Sequence, residues 1–431
     1  MKRIRMDMAI VAPMSPLWAW RRGGASDAAT LHKCYARGVW RERSVAERAF
    51  LLARILVTWP TANLAMLAWC TGVNGAATRR RFGKPVWRQV VEQIALAARH
   101  SVPPPWYYIF GLWDDAKRSR AHLYINRYET KGGIYRLLRA YFRGSGRALN
   151  DKLGFHEVCG KHGLPAPPLV MVLRDGDVVG GERRLPEADL FVKPVKARGG
   201  IGAERWAFVG ARRYRSSDGR ECTEAELLEL LGERSREKAQ LVQRRLCNHP
   251  DLADLGAGAL STARVMTVLN EKGEYEAALA VFRTCVDPSS PVDNFHAGGL
   301  VAAVDLGSGE LGQASGGGSI GVPKVADMIR CDTHPLSGAP ITGRRLPFWS
   351  EAKELATRAH AAFPRLAVVG WDIAFTPEGP VVIEGNSGPD VDLMQVGHQA
   401  PMGDTRVAAA LAYHVRRVHE RELPARTGES L

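Results

Sequence analysis

The seven cysteines of this 431-residue chain (Cys34, Cys70, Cys159, Cys222, Cys247, Cys285 and Cys331) are scattered and form no CxxC pair. That spacing excludes a disulfide framework and a cysteine zinc site, and it points to a reducing cytosol. Long low-complexity tracts and internal repeats are lacking. Acidic residues are short: 45 Asp and Glu face 59 Lys and Arg, for a formal net charge of +14. Such an excess favours polyanions, including nucleotide phosphates, nucleic acid or an anionic membrane. Without C2H2 spacing, an RNP-like string or a basic heptad, nucleic acid is not expected as a partner. Asp7 and two prolines interrupt the first apolar run, so no signal peptide is expected. Charge is also missing from residues 55–73, ILVTWPTANLAMLAWCTGV.

Hydrophobic residues make up 45% of the chain, as in an ordinary globular protein. Up to about residue 145 the apolar spacing is helical, notably in AERAFLLARILVTW and VWRQVVEQIALAARH. Pro60 should bend or end the first of these helices. From Asn150 strands and helices alternate, with antiparallel hairpins among them. The expected fold class is α+β, or mixed α/β. The division is a mainly helical region over 1–149, a main domain over 150–420 and a polar tail over 421–431. Thr223 and Glu226 form a capping box ahead of the helix TEAELLELLGERSREK.

The chemistry concentrates in GWDIAFTPEGPVVIEGNSGPDVDLMQ, residues 370–395. Two apolar runs flank Pro377-Glu378-Gly379, and a three-residue loop ending in Gly is a common hairpin connection. That register sets Thr376 opposite Pro380, Ala374 opposite Val382 and Asp372 opposite Glu384. Alternation then puts Asp372, Glu384 and Asn386 on one face, with Trp371, Ile373, Phe375, Val381 and Ile383 on the other. A hairpin apolar on both faces is mostly buried, and opposed buried carboxylates need a positive partner. Three hard oxygen ligands suit Mg²⁺, and Mn²⁺ would serve in its place. The alternative is a surface hairpin whose acids face water.

Lys193 lies in the apolar strand LFVKP, where a lysine is costly unless it meets an anion. Lys196 to Gly202 follows, with Gly199, Gly200 and Gly202. Glycines let backbone N–H groups approach phosphate, although two solvated cations on a hairpin tip read equally well. Arg264, in STARVMTVLN, either clamps a phosphate or carboxylate or forms a structural ion pair, with Asp293 or Asp305 as partner. Arg283, on the partnering strand, could share that role. Asn294 stands in the Gly-rich string DNFHAGG.

Taken in order, these segments resemble the ATP-grasp superfamily from about Asp151 to Gln395. DKLGFHEVCGKHGLPAPP is similar to the opening helix, LFVKPVKARGGIG to the phosphate-covering hairpin and LVQRRL to the adenine hinge. STARVMT, DNFHAGG and WDIAF…VVIEGN follow in the usual order. The nearest subgroup is the sugar-transfer-associated, α-L-glutamate-ligase-related ATP-grasp proteins. The resemblance implies an ATP-grasp fold, two α+β lobes gripping a nucleotide, here behind a helical N-terminal region. It implies ATP phosphates on Lys152 and Lys193, with Lys196, Gly199, Gly200 and Gly202 over them. Adenine would lie along Gln243, Arg244 and Arg245, the γ-phosphate near Arg264, and the substrate-facing loop at Asn294. Asp372, Glu384 and Asn386 match the magnesium ligands. Relatives often carry Glu where Gln243 stands, and no Rossmann-like unit precedes Asp151.

The function so implied is ATP- and Mg²⁺-dependent ligation of a carboxylate to an amine through an acyl phosphate, in cell-surface polysaccharide or glycan modification. The substrate would be a small-molecule carboxylate or a sugar-linked one. A sugar-kinase-like phosphotransferase and a non-catalytic nucleotide-binding partner of a glycan-assembly complex are the alternatives. Residues 55–73 are expected to form a buried helix pair joining the two regions. At most they would give a peripheral, salt-sensitive membrane contact, so the expected location is the cytoplasm or the inner face of the inner membrane.

Overall fold

The computed structural model describes residues 26–41, 43–144, 146–196, 201–288, 295, 298–316 and 324–422. Among these residues, fourteen strands form two antiparallel sheets of seven, with helices packed around them. The first sheet holds β1 (Leu169–Arg174), β2 (Asp177–Gly181), β3 (Leu190–Pro194), β4 (Glu204–Phe208), β5 (Arg213–Ser216), β6 (Glu221–Thr223) and β7 (Gln240–Arg244). Its spatial order is β2-β1-β7-β3-β4-β5-β6. The second holds β8 (Thr262–Leu269), β9 (Tyr275–Thr284), β10 (Leu300–Val304), β11 (Leu311–Gly316), β12 (Ile329–Cys331), β13 (Val368–Thr376) and β14 (Gly379–Asn386). Their order is β12-β11-β10-β9-β8-β13-β14. The fold class is therefore α+β.

Local chemistry sets the connections. Asn270 turns β8 into β9 by accepting from the amides of Lys272 (3.0 Å) and Glu274 (2.9 Å), and Gly273 takes the left-handed conformation with φ +86°. Thr223 and Glu226 form the expected reciprocal cap on the helix Glu224–Glu237. Alternation along the second sheet builds two cores. Val265, Phe282, Trp371, Ile373 and Phe375 pack beneath the helix Trp349–Ala362. Met266, Val268 and Val281 pack beneath the helices Val391–His398 and Arg406–Glu422.

The N-terminal region is helical and grips the second sheet from its helix-covered side. Asp27–Arg41 packs along Arg406–Glu422, with an Arg416–Asp27 ion pair at 3.0 Å. Of the two outcomes expected of Pro60, a bend or an end, the second does not occur, since its helix runs unbroken from Val45 to Phe82. Beside the proline, Thr61 donates back to the Val57 carbonyl (2.9 Å) and Asn63 to that of Trp59 (2.9 Å). The stretch 55–73 is not a buried pair of helices either. It is the middle of that one helix, and of its most apolar 18 residues only 12% are buried.

Candidate functional site

A cavity of about 340 Å³ opens between the two sheets. β3 and β7 supply Phe191, Lys193 and Gln243 from the first sheet, while Thr262, Arg264, Arg283, Asp372 and Glu384 come from the second. Eight cationic side chains and three carboxylates line it, so the cleft suits a polyanion.

The β13–β14 hairpin is tighter than its sequence suggests. Thr376 pairs with Gly379, Phe375 with Pro380 and Ala374 with Val381, one residue out from the expected register. The loop therefore contains two residues, not three. A bulge between Asp372 and Ile373 then restores Asp372 opposite Glu384. Val382 joins Trp371, Ile373 and Phe375 in the core, while Ile383 and Glu384 both reach the cavity. The expectation that Val381 and Ile383 share the core face is thus wrong, because the two-residue turn sets Val381 opposite Ala374 and the bulge takes Ile383 out of the ladder.

Asp372 is 3% exposed and has its positive partners within the protein. Arg264 lies directly across the β8–β13 ladder and grips both of its oxygens, through Nε to Oδ1 and through Nη2 to Oδ2 at 2.9 Å. Arg283 donates to Asp372 Oδ2 at 2.9 Å and to Thr262 Oγ1 at 2.6 Å. Asp305 is not the partner of Arg264, and Asp293 lies outside the described residues. Burial pushes the Asp372 carboxyl up, but the two guanidinium groups outweigh it and hold it at about 2. Glu384 is exposed to the cleft, and the Asn386 amide donates to it at 3.3 Å.

Lys152 opens the helix Lys152–Lys161 and donates to the Pro194 carbonyl at 2.7 Å, which ties that helix to the end of β3. Lys193 is half-buried, with its ammonium 5.7 Å from the Phe191 ring centroid. Burial and the neighbouring Lys152 bring the Lys193 ammonium down to about 8, against the pull of Glu384. Behind them, burial and Lys193 lower His156 to about 4, so its neutral ring accepts from Gln243 Nε2 at 2.8 Å. Arg244 and Arg245 line the cavity, and Arg245 is braced by Asp189 (3.2 Å) and the Gly258 carbonyl (2.9 Å).

Lys196 is exposed and does not line the cavity. Gly202 sits at φ +74° with its α-carbon against the Pro194 ring, and its neighbours Ile201 and Ala203 reach the cavity. Gly199, Gly200 and Asn294 lie outside the described residues.

The opposite rim went unread in the sequence. Lys131, Asp390 and Arg205 line the cavity. Lys131 pairs with Asp390 at 2.7 Å, bringing the N-terminal region to the cleft edge. Lys131 sits in a π-helical turn, Thr130–Ile134. Asp390 caps the helix Val391–His398, so Asp following Gly-Pro before an apolar run was the available signal. Next to it, Asp392 is buried and accepts from Trp106 Nε1 (3.1 Å) and the Arg127 amide (3.1 Å). Burial and Asp390 push its carboxyl up, despite Arg127.

Two sheets closing on a cation-rich cleft, one supplying lysines and the other a carboxylate-bearing hairpin, define the ATP-grasp class of enzyme. The chain belongs to the sugar-transfer associated ATP-grasp family, whose model matches residues 137–407, more than half of its length. No curated protein matches it in sequence. Among solved structures, the D-alanine-D-alanine ligase from Coxiella burnetii is 12% identical with a TM-score of 0.34, over 65% of this chain and 61% of that one. The L-amino acid ligase from Bacillus licheniformis is 12% identical with a TM-score of 0.35, over 67% and 53%. The N5-carboxyaminoimidazole synthase from Aspergillus clavatus, solved with ADP, is 13% identical with a TM-score of 0.30, over 56% and 45%. The chain therefore spans about half of the length of these proteins.

Proposed function

We propose that the protein is an ATP- and Mg²⁺-dependent carboxylate–amine ligase that works through an acyl phosphate on a small-molecule or sugar-linked carboxylate in cell-surface glycan modification, on the cytoplasmic side. The observation that carries this reading is the convergence of Lys152, Lys193, Arg264 and the Asp372–Glu384 pair on one cavity. Lys193 and Lys152 hold the phosphates of ATP. The backbone of Gln243, Arg244 and Arg245 meets the adenine. Arg264 spends only Nε–H and one Nη2–H on Asp372, and its remaining donors face the transferred phosphoryl group.

A divalent cation fits the donor set. Glu384 and Asn386 offer oxygens, and Asp372 has one lone-pair direction left after its three guanidinium hydrogen bonds. Glu384, Asn386 and Asp372 would hold such a cation, which would supply positive charge to offset that of the phosphates. The protein's remaining part is positioning and charge stabilisation, which is most of what phosphoryl transfer requires.

A second cavity of about 190 Å³ shares Phe295 and Leu393 with the first. Tyr108, Phe110, Trp113 and Met328 give it apolar walls, and Arg330 supplies a cation beside Gln399. That combination suits a carboxylate carried on a sugar or apolar body. With ATP and the correct carboxylate, hydroxylamine should trap the acyl phosphate as a hydroxamate, with release of ADP. A phosphorylated hydroxyl and no hydroxamate would instead assign a sugar-kinase-like phosphotransferase. Binding of ATP without turnover across a panel of sugar acids and amino acids would favour the nucleotide-binding partner.

A further inference from the structure

We propose that the helical hairpin of Val45–Phe82 and Val86–His100 docks on an anionic phospholipid bilayer and lies in the plane of its surface. The polarity of this hairpin is reversed relative to a water-facing protein. On Val86–His100, Trp87, Val91 and Ile94 recur at helical spacing and are 65%, 56% and 48% exposed. The opposite face buries Gln89 and Gln93, whose amides donate to the Gly75 carbonyl (3.0 Å) and to Thr71 Oγ1 (3.0 Å). On the longer helix Asn63, Asn74 and Thr78 are buried, while Leu56, Leu64 and Trp69 are 68%, 57% and 59% exposed. Helices bathed in water place their residues the other way round. A continuous apolar surface of this kind marks a contact with something apolar.

Charge at its edge says which surface. Residues 55–78 carry no charge, and then Arg79, Arg80 and Arg81 follow, all exposed. Arg88 sits 5.5 Å from the Trp87 ring centroid on the adjoining helix. A tryptophan beside an arginine cluster matches the boundary between acyl chains and anionic headgroups. A second copy of the chain would bring another arginine cluster to the same rim, since symmetric interfaces repeat one patch.

The uncharged stretch would reach about 36 Å as helix, enough for a hydrocarbon core of about 30 Å. Both of its flanks are nevertheless fastened to one body. Asp27–Arg41 packs on Arg406–Glu422, and at the other end Arg81 bonds the Val325 carbonyl. A span would need that body on both sides of the bilayer, so the hairpin lies flat.

The test is flotation of the full chain with phosphatidylcholine vesicles, with and without phosphatidylglycerol. Binding should require the anionic lipid and be reversed by high salt or alkaline carbonate. Leu64→Glu with Trp69→Glu should lower the floating fraction by about tenfold or more at an unchanged melting temperature, because each substitution replaces an apolar contact with the lipid by a charge that anionic lipid repels. Failure of the wild type to float on anionic vesicles would overturn the proposal. So would release only by detergent, which means a span, or dimers that the double variant dissociates, which mean a second copy as the cover. Vesicle binding is read without ATP or turnover, so it succeeds or fails separately from the ligase reading.

Discussion

Asp372 stands opposite Glu384 across the β13–β14 hairpin only because Ile383 is squeezed out of the ladder beside them. One bulge thus sends two consecutive side chains into the cleft and leaves Val382 to fill the core. The two carboxylates nevertheless do different work. Asp372 is buried between Arg264 and Arg283, whereas Glu384 is open to the cavity.

Their amide variants should therefore separate. Asp372→Asn leaves two buried guanidinium groups without their anion, and breaking such a cluster costs about 3–5 kcal/mol. Glu384→Gln should melt within a degree or two of wild type, yet lose the extra stabilisation that Mg²⁺ adds to ATP. Thermal melts with ATP, with and without Mg²⁺, check both. Equal melting temperatures for the two variants would contradict the division.

Acid sharpens the same comparison. The Asp372 carboxyl is held at about 2, below its ordinary 3.8, so its contribution is complete above the ordinary value and disappears as pH falls through about 2. The stability gap between wild type and Asp372→Asn should close over that interval. Urea midpoints at descending pH measure it.

Lys193 should make nucleotide affinity pH-dependent. Its ammonium is lowered to about 8, and phosphate favours the charged form. ATP should bind best below that value, and more weakly as pH rises through it. Lys193→Met should bind more weakly throughout and lose this slope. Isothermal titration from neutral to alkaline pH reads the difference, and parallel curves would show that the lysine is not a phosphate contact.

Asp392 predicts the opposite trend in stability. Burial and the neighbouring Asp390 raise its carboxyl, so the fold favours the protonated form, and that preference is lost as pH climbs above the ordinary 3.8. Asp392→Asn keeps an acceptor for only one of Trp106 Nε1 and the Arg127 amide, but it removes the titration. Its unfolding midpoint should hold steady where the wild type declines.

Strands and helices of the main domain were legible because their apolar periodicities are regular and their caps carry signature residues, such as Thr223 with Glu226. The pairing of Asp372 with Glu384 was legible too, although by a register that the bulge corrects. No residue type announces that bulge. The Lys131–Asp390 contact joins positions 259 residues apart, beyond any local pattern. Arg264 was singled out, but its partner was sought among acids nearer in sequence than Asp372. The long apolar helix was visible in composition, and its outward face was not, because apolar residues by default turn inward.

Asp27–Arg41 packs on segments that follow it soon in the chain, Thr130–Ile134 among them, but completes its packing against Arg406–Glu422. A ribosome adds about 5–20 residues per second, so Asp27–Arg41 waits tens of seconds for Arg406–Glu422. For most of that interval the apolar hairpin that follows it is also outside the exit tunnel. The nascent chain thus shows an apolar surface well before Asp27–Arg41 gains its clasp, and Asp27–Arg41 should dock sooner when the helix Arg406–Glu422 is supplied early, by circular permutation.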